Sequence, residues 1–202
     1  MEEGLIKSEP KLPSIKDLQK DAQLAFESDQ LNLLLNQNPP DGWIKEHPII
    51  KVDKIIDGKK TKVPLKYIPI SRVEMNLTMI FQQWRIEVVH YGQIFQSMTC
   101  HIRLHYLNPV TQKWESHDGL GAVDVQTKKG ENATNLGAII HGSVMRGLPA
   151  AKSFAIKDAA DHLGKLFGRD MNRNEEAVFF AIHEEPEKNI GEIIKERQEN
   201  EG

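Results

Sequence analysis

GLPAAKSFAIKDAADHLGKLFGRDMNR, residues 147–173, is the stretch whose reading decides the fold. Ala151, Phe154, Ala155, Ala159, Leu163, Leu166 and Phe167 recur at steps of three and four. That spacing predicts one long helix, Gly147–Arg173, with an apolar stripe that buries against a sheet. Pro149 is expected in its first turn and Gly168 as its C-terminal cap. Lys157, Lys165 and Arg169 fall on a four-residue ladder that Asp161 breaks. A ladder of this kind is either a solvated face or a basic surface with a task, so the surrounding chain has to decide.

Composition narrows the choice. The 202 residues suit one domain with appended ends, and 39% hydrophobic with 27% charged residues is ordinary for a soluble globular chain. No apolar run approaches the roughly 18 residues needed to span a bilayer, and the acidic start lacks a signal peptide's pattern, so a cytoplasmic protein is expected. The single cysteine, Cys100, rules out an internal disulfide framework and a Cys-rich zinc site. The net charge of −3 hides an asymmetry: residues 33–173 hold 19 Lys/Arg against 13 Asp/Glu, a balance of +6. Residues 1–32 stand at −3 (4 against 7) and residues 174–202 at −6 (3 against 9). A basic core between acidic ends suits a polyanion-binding surface.

In chain order, the first dozen residues read as disordered. Ser14 to Phe26 has helical period with Ser14 as N-cap, and a second short helix is expected through Leu31 and Leu33–Leu35 before the NQNPPDGW loop. Trp43 and Ile44 should anchor that loop on the core. IIKVDKII and TKVPLKYIPI, joined at Asp57-Gly58, read as a β-hairpin with Pro64 at an edge or bulge. Lys59, Lys60, Lys62 and Lys66 cluster on it. Ser71 to Glu74 has capping-box spacing and opens a helix through Val73, Leu77, Ile80 and Phe81. Three strands follow. Trp84 to Val89 alternates, placing Trp84, Ile86 and Val88 on one face. Ser97 to Leu107 sends Met98, Cys100, Ile102, Leu104 and Tyr106 one way, and Thr99, His101, Arg103 and His105 the other. Lys113 to Asp118 returns and runs into GLGAVDVQ. Residues 128–146 form a polar connection to the last helix, and Ala177, Val178, Phe179, Phe180 and Ile182 are expected to pack back before the acidic tail.

The expected fold is therefore α+β: an antiparallel sheet, hairpin plus three-stranded meander, packed against a long C-terminal helix in the order β-β-α-β-β-β-α. Three parts are expected: an N-terminal helical segment (1–45), the core (46–173) and an acidic C-terminal tail (174–202).

This order resembles the Rad-fifty-two-like single-strand annealing proteins, a group that includes phage recombination proteins of the Sak type. The residues carrying the resemblance are YIPISRVEMNLTMIF followed by WRIEV, the strand MTCHIRLHYL with its return, and the closing AxxxAxxDAxxxLxKxFG pattern, together covering roughly residues 60–173. The resemblance implies ATP-independent binding of single-stranded DNA and annealing of complementary strands, with no cofactor and no catalytic residues. It also implies a homo-oligomeric ring or helical filament, and DNA held in a basic groove between sheet and final helix. An annealed duplex intermediate, a partner exonuclease and a single-strand binding protein would follow, in a bacterial host's cytoplasm if the protein is phage-encoded. Lys165 takes the place of the family's phosphate-contacting arginine, and Asp158 that of its helix aspartate. Where the family often has two basic residues before that arginine, this chain has Asp161 and His162; Lys157, Arg169 and Arg173 are the candidate substitutes. Lys66, Lys62, Arg85 and Arg103 complete the candidate DNA-binding set, and the outward His101–Arg103–His105 face is expected beside the helix in the same groove.

Two rival readings come from the residues. A metal-dependent nuclease would draw ligands from His90, His101, His105, His117 and Asp118. Against it, His101 and His105 stand about 13 Å apart along a strand, and no HExxH spacing exists. An oligomeric interaction protein without a DNA role would have the same core. Cys100, on the apolar side of its strand, reads as a buried inert thiol, and no GxxxxGK[ST] loop is present for an ATPase.

Overall fold

A computed structural model of the chain describes residues 21–56, 58–131, 135–175 and 178–185. Two compact units are distinguished, Leu31–Phe179 and a smaller one made of Met1–Gln30 with Phe180–Gly202. In the smaller unit, Asp29 accepts hydrogen bonds from the backbone N–H groups of Ile182 (2.6 Å) and His183 (2.7 Å) and pairs with His183 Nδ1 at 3.0 Å. Burial works against its charge, but these donors outweigh burial and hold its pKa below the ordinary value. Helix α1 (Ala22–Leu35) runs unbroken from the described end of the first expected helix through the second; residues 14–20 and the acidic tail beyond residue 185 lie outside the described residues.

The larger unit has the expected α+β architecture. Strands β1 (Lys45–Ile56) and β2 (Lys59–Tyr67) pair as an antiparallel hairpin. Gly58, at φ +71°, supplies the left-handed turn residue; Asp57 is outside the described residues. A register shift between Glu46 and Lys51 marks a bulge, and Pro64 sits opposite Lys51 next to it. Helix α2 (Ile70–Phe81) follows, but without the expected capping box. Ser71 is already inside the helix, and Pro69 is the cap, its carbonyl accepting from Arg72 and Val73 N–H at 2.9 and 3.2 Å. Trp43 does pack against the core, with the Arg72 guanidinium 4.6 Å above its ring.

Strands β3 (Trp84–Ile94), β4 (Ser97–Leu107) and β5 (Trp114–Asp124) form an antiparallel sheet with β4 in the middle. β4 alternates without a break: Met98, Cys100, Ile102, Leu104 and Tyr106 are buried. β3 runs five residues beyond its expected end and turns at Phe95, a non-glycine residue at φ +53°. Val88, expected on the covered face, is 49% exposed because β3 is an edge strand.

Helix α3 (Ser143–Asp161) differs from expectation at both ends. It starts four residues early, behind Gly142 at φ +75°, so Pro149 lies inside it and leaves the Met145 carbonyl without its usual N–H partner. It stops at Asp161 instead of Arg173, because Gly164 takes φ +152° where the chain meets the end of α1. A Cβ there would lie 2.8 Å from the Leu35 carbonyl carbon. A 3₁₀ turn, Lys165–Phe167, then carries the chain to Gly168. Lys165 and Arg169 are thus not on the ladder of Lys157.

The helix lies directly on the sheet. Gly119 and Gly121, just past the expected Lys113–Asp118 stretch, are in the middle of β5, and they face the backbone of α3. A Cβ on Gly119 would collide with the Ala155 carbonyl and lie 2.7 Å from Ala159 N; one on Gly121 would collide with the Ala151 carbonyl and lie 2.5 Å from Ala155 N. Paired small residues on both surfaces permit this approach. Val73, Leu77, Phe81, Ile156 and Phe167 close the core beside it. After residue 175 the expected apolar packing is weak: Val178 is 82% and Phe180 76% exposed, Ile182 is held by its backbone N–H on Asp29, and Ala177 is outside the described residues.

Candidate nucleic-acid interface

The segment after α3 ties the hairpin to the rest of the larger unit. The Asn172 side chain accepts from Lys66 N–H (2.9 Å) and donates to Lys66 C=O (2.8 Å), as a neighbouring strand would. Asn174 accepts from Ile55 N–H at 3.0 Å, and Lys54 Nζ donates to the Met171 carbonyl at 3.2 Å. Two cavities result. One, of about 240 Å³, gathers Lys54 (β1), Lys66 (β2), Lys165 and Arg169, with Asp41 as its single acidic residue. The other, of about 420 Å³, is a trough between hairpin and α3 lined by Ile50, Leu65, Tyr67, Phe154, Lys157 and Asp161 among others. Lys66 and Met171 line both, so the cavities adjoin.

In and beside this cleft the candidate residues have different surroundings. Arg169 donates through Nε to the Asp161 carbonyl (3.1 Å) and through Nη2 to the His162 carbonyl, so it caps the C-terminus of α3. Arg173 pairs with the buried Asp170 at 3.0 Å while its own side chain stays 73% exposed. Lys157 Nζ lies 4.7 Å from the Phe154 ring centroid and 5.1 Å from that of Tyr67, a cation–π arrangement. Burial lowers its pKa, against the attraction of Asp161. Burial first, and repulsion from Asp158 second, push the Asp161 carboxyl up to about 7, opposed by Lys157, Arg169 and Arg173.

Other candidates are elsewhere. Lys62 is exposed on β2, outside both cavities. Arg85 and Arg103 belong to the sheet face opposite α3, together with His101 and His105, since the alternate residues of β4 are those buried under the helix. The expected single groove combining that face with the helix is therefore not formed. Arg103 is held by Asp118 through Nε (2.6 Å) and Nη2 (3.0 Å), a bidentate bond that brings the Asp118 pKa down to about 2. His101 adds a 3.2 Å contact to the same carboxylate, His105 lies 3.1 Å from Glu87, and Arg85 covers the Trp114 ring at 5.4 Å.

Two contributors escaped the sequence reading. Lys54 stands in KVDKII next to the noticed lysine cluster, and a count of every hairpin cation would have found it. Asn172 carries no local signal at all, since its partner is 106 residues away. Another cavity, of about 500 Å³, is a different place: Val88, Tyr91, Cys100, Leu148, Pro149 and Ile156 line it, and its charges, Glu74 and Lys152, are of opposite sign. Burial raises the Cys100 thiol pKa there, away from thiolate chemistry. Among the described residues, no group of three or more His, Cys, Asp or Glu side chains is arranged to hold a metal ion, and no helix is long and apolar enough to cross a membrane.

No protein-family model matches the chain, and no curated protein matches it significantly.

Proposed function

We propose that the protein binds single-stranded DNA in the cleft between hairpin and α3 and anneals complementary strands without ATP, as an oligomer acting in recombination and repair. One observation carries this reading: cations from three separated segments, Lys54, Lys66, Lys165 and Arg169, converge on one pocket that adjoins a long trough. Phosphate contacts and counterion release supply most of the affinity in sequence-tolerant binding, and they require such a cluster. The resemblance of residues 60–173 to the Rad-fifty-two-like annealing proteins points the same way. The open edge of β3, where Tyr91 is 61% and Ile94 56% exposed, offers a surface for self-association. An exonuclease that exposes single strands and a single-strand binding protein are the partners this activity calls for.

The test is binding of a labelled unstructured oligonucleotide at two salt concentrations, then annealing of its complement without ATP. Tight, salt-dependent binding and accelerated pairing are expected. The combined Lys54→Glu, Lys66→Glu and Lys165→Glu variant should lose binding while keeping its oligomeric state. Unchanged binding by a folded variant would take the cleft out of the interface.

A further inference from the structure

A groove that only follows a phosphate backbone has no use for a carboxylate in its wall. Asp161 is there nonetheless, lining the trough one helical turn after Lys157. Among the described residues its carboxylate oxygens accept no hydrogen bond; the Arg169 contact is to its backbone carbonyl. An ionised carboxylate is acceptor-only, so this one can take a ligand that offers two adjacent N–H donors. The walls around it are mostly apolar, from Ile50, Leu65, Tyr67, Phe154 and Phe167, and Tyr67 and Phe154 bring the aromatic faces. Phe154 is 45% exposed, although it belongs to a helix whose small residues are fully buried. Aromatic faces of this kind stack nucleobases.

We infer that the trough is a base-binding subsite, in which a guanine turned inward from the bound strand stacks on Tyr67 or Phe154 and is read by Asp161 and Lys157. The inference rests on the DNA-binding reading above and deepens it. Guanine alone among the four bases presents, side by side on its pairing edge, one acceptor (O6) and two donors (N1–H and N2–H). The carboxylate takes both donors, and the Lys157 ammonium, moving off the rings, takes O6. Adenine, cytosine and thymine each place at least one acceptor or gap against the carboxylate. The phosphates on either side of the turned base reach Lys66 and the adjoining basic pocket. The inserted base is withheld from pairing while its neighbours remain outside.

The subsite works only with Asp161 ionised. Lys157 and Asp158 on its own helix, Arg169 and Arg173 beyond it, and His47 and Lys66 from the hairpin are the charged or titratable groups around the trough. With its carboxyl pushed up to about 7, selectivity is present above neutral pH and lost below it.

The experiment uses the full chain and oligo-dT carrying spaced guanine, inosine or adenine substitutions, read by fluorescence anisotropy. At pH 8 guanine is expected to improve affinity over adenine by about 5- to 20-fold, in line with a bidentate base contact. Inosine, which lacks the N2 amino group, should fall between them. The preference should vanish in the near-isosteric Asp161→Asn variant and at pH 6, while plain oligo-dT still binds. Equal affinity for guanine and adenine oligonucleotides, or a preference that survives Asp161→Asn, overturns the subsite and leaves DNA binding standing. The wild-type inosine series decides the matter even if the variant fails to fold. No binding of any oligonucleotide removes the DNA reading and the subsite with it.

Discussion

The Asp158 carboxylate, on α3, accepts a hydrogen bond at 2.9 Å from the backbone N–H of Leu120, on β5. An edge-strand donor is thereby satisfied by the helix that covers the sheet, one turn from the groove residues. The aspartate that the resemblance singled out is thus a staple between helix and strand. Asp158→Ala should cost about 1 kcal/mol, less than a charged hydrogen bond usually contributes, because the site is solvent-accessible. For a chain of this size that is a fall of about 2–4 °C in Tm, measurable by calorimetry.

Gly121→Ala should be far more damaging. The new Cβ meets the Ala151 carbonyl and Ala155 N, both backbone, so relief requires moving α3 off the sheet. A loss of about 3 kcal/mol or more is expected in urea unfolding. Gly42→Ala, with open space around its Cβ, is the control and should be near neutral.

Arg169 and Lys66 line the same pocket but should fail differently. Arg169→Ala uncaps the Asp161 and His162 carbonyls and should lower stability by about 1–2 kcal/mol as well as weaken DNA binding. The Lys66 backbone, not its side chain, holds Asn172. Lys66→Ala should therefore leave the unfolding midpoint nearly unchanged and reduce the salt slope of binding by about one unit.

Charge removal on the far face of the sheet separates the cleft from general basicity. Arg103→Ala should leave oligonucleotide affinity within about two-fold, since its guanidinium is already engaged by Asp118 and faces away from α3. A loss as large as that of Lys66→Ala would move the interface to that face.

Stability should fall between about pH 4 and pH 7 through Asp161. Its carboxyl pKa is raised from 3.8 to about 7 in the folded state, so folding favours the protonated form. The contribution is complete below about pH 4 and is lost as pH rises to about 7. Asp161→Asn removes the cost of ionising a buried group and should be more stable than wild type by about 1–3 kcal/mol at pH 8, with little difference at pH 4. Paired urea titrations at the two pH values measure it.

The sequence by itself determined the elements whose signals are local. The alternation in MTCHIRLHYL marks β4 and its buried side, the three- and four-residue recurrence of alanines marks α3, and Gly58 marks the hairpin turn. The extension of β3 was not legible, because Phe95 takes a left-handed turn position that normally calls for glycine or asparagine. The continuation of β5 through GLGAVD was not legible, because glycine weakens strand propensity; only the helix pressing on β5 gives those glycines their reason. Lys165 and Arg169 were found by type, but their places were not: the helix stops at Asp161 because Gly164 must clear Leu35, a residue 129 positions earlier. The cleft, the pairing of Asn172 with Lys66, and the separation of Arg103 from Lys165 onto opposite sides of a sheet were decided by tertiary structure alone. Periodicity records which side of an element is buried, and it carries no information about which distant element does the burying.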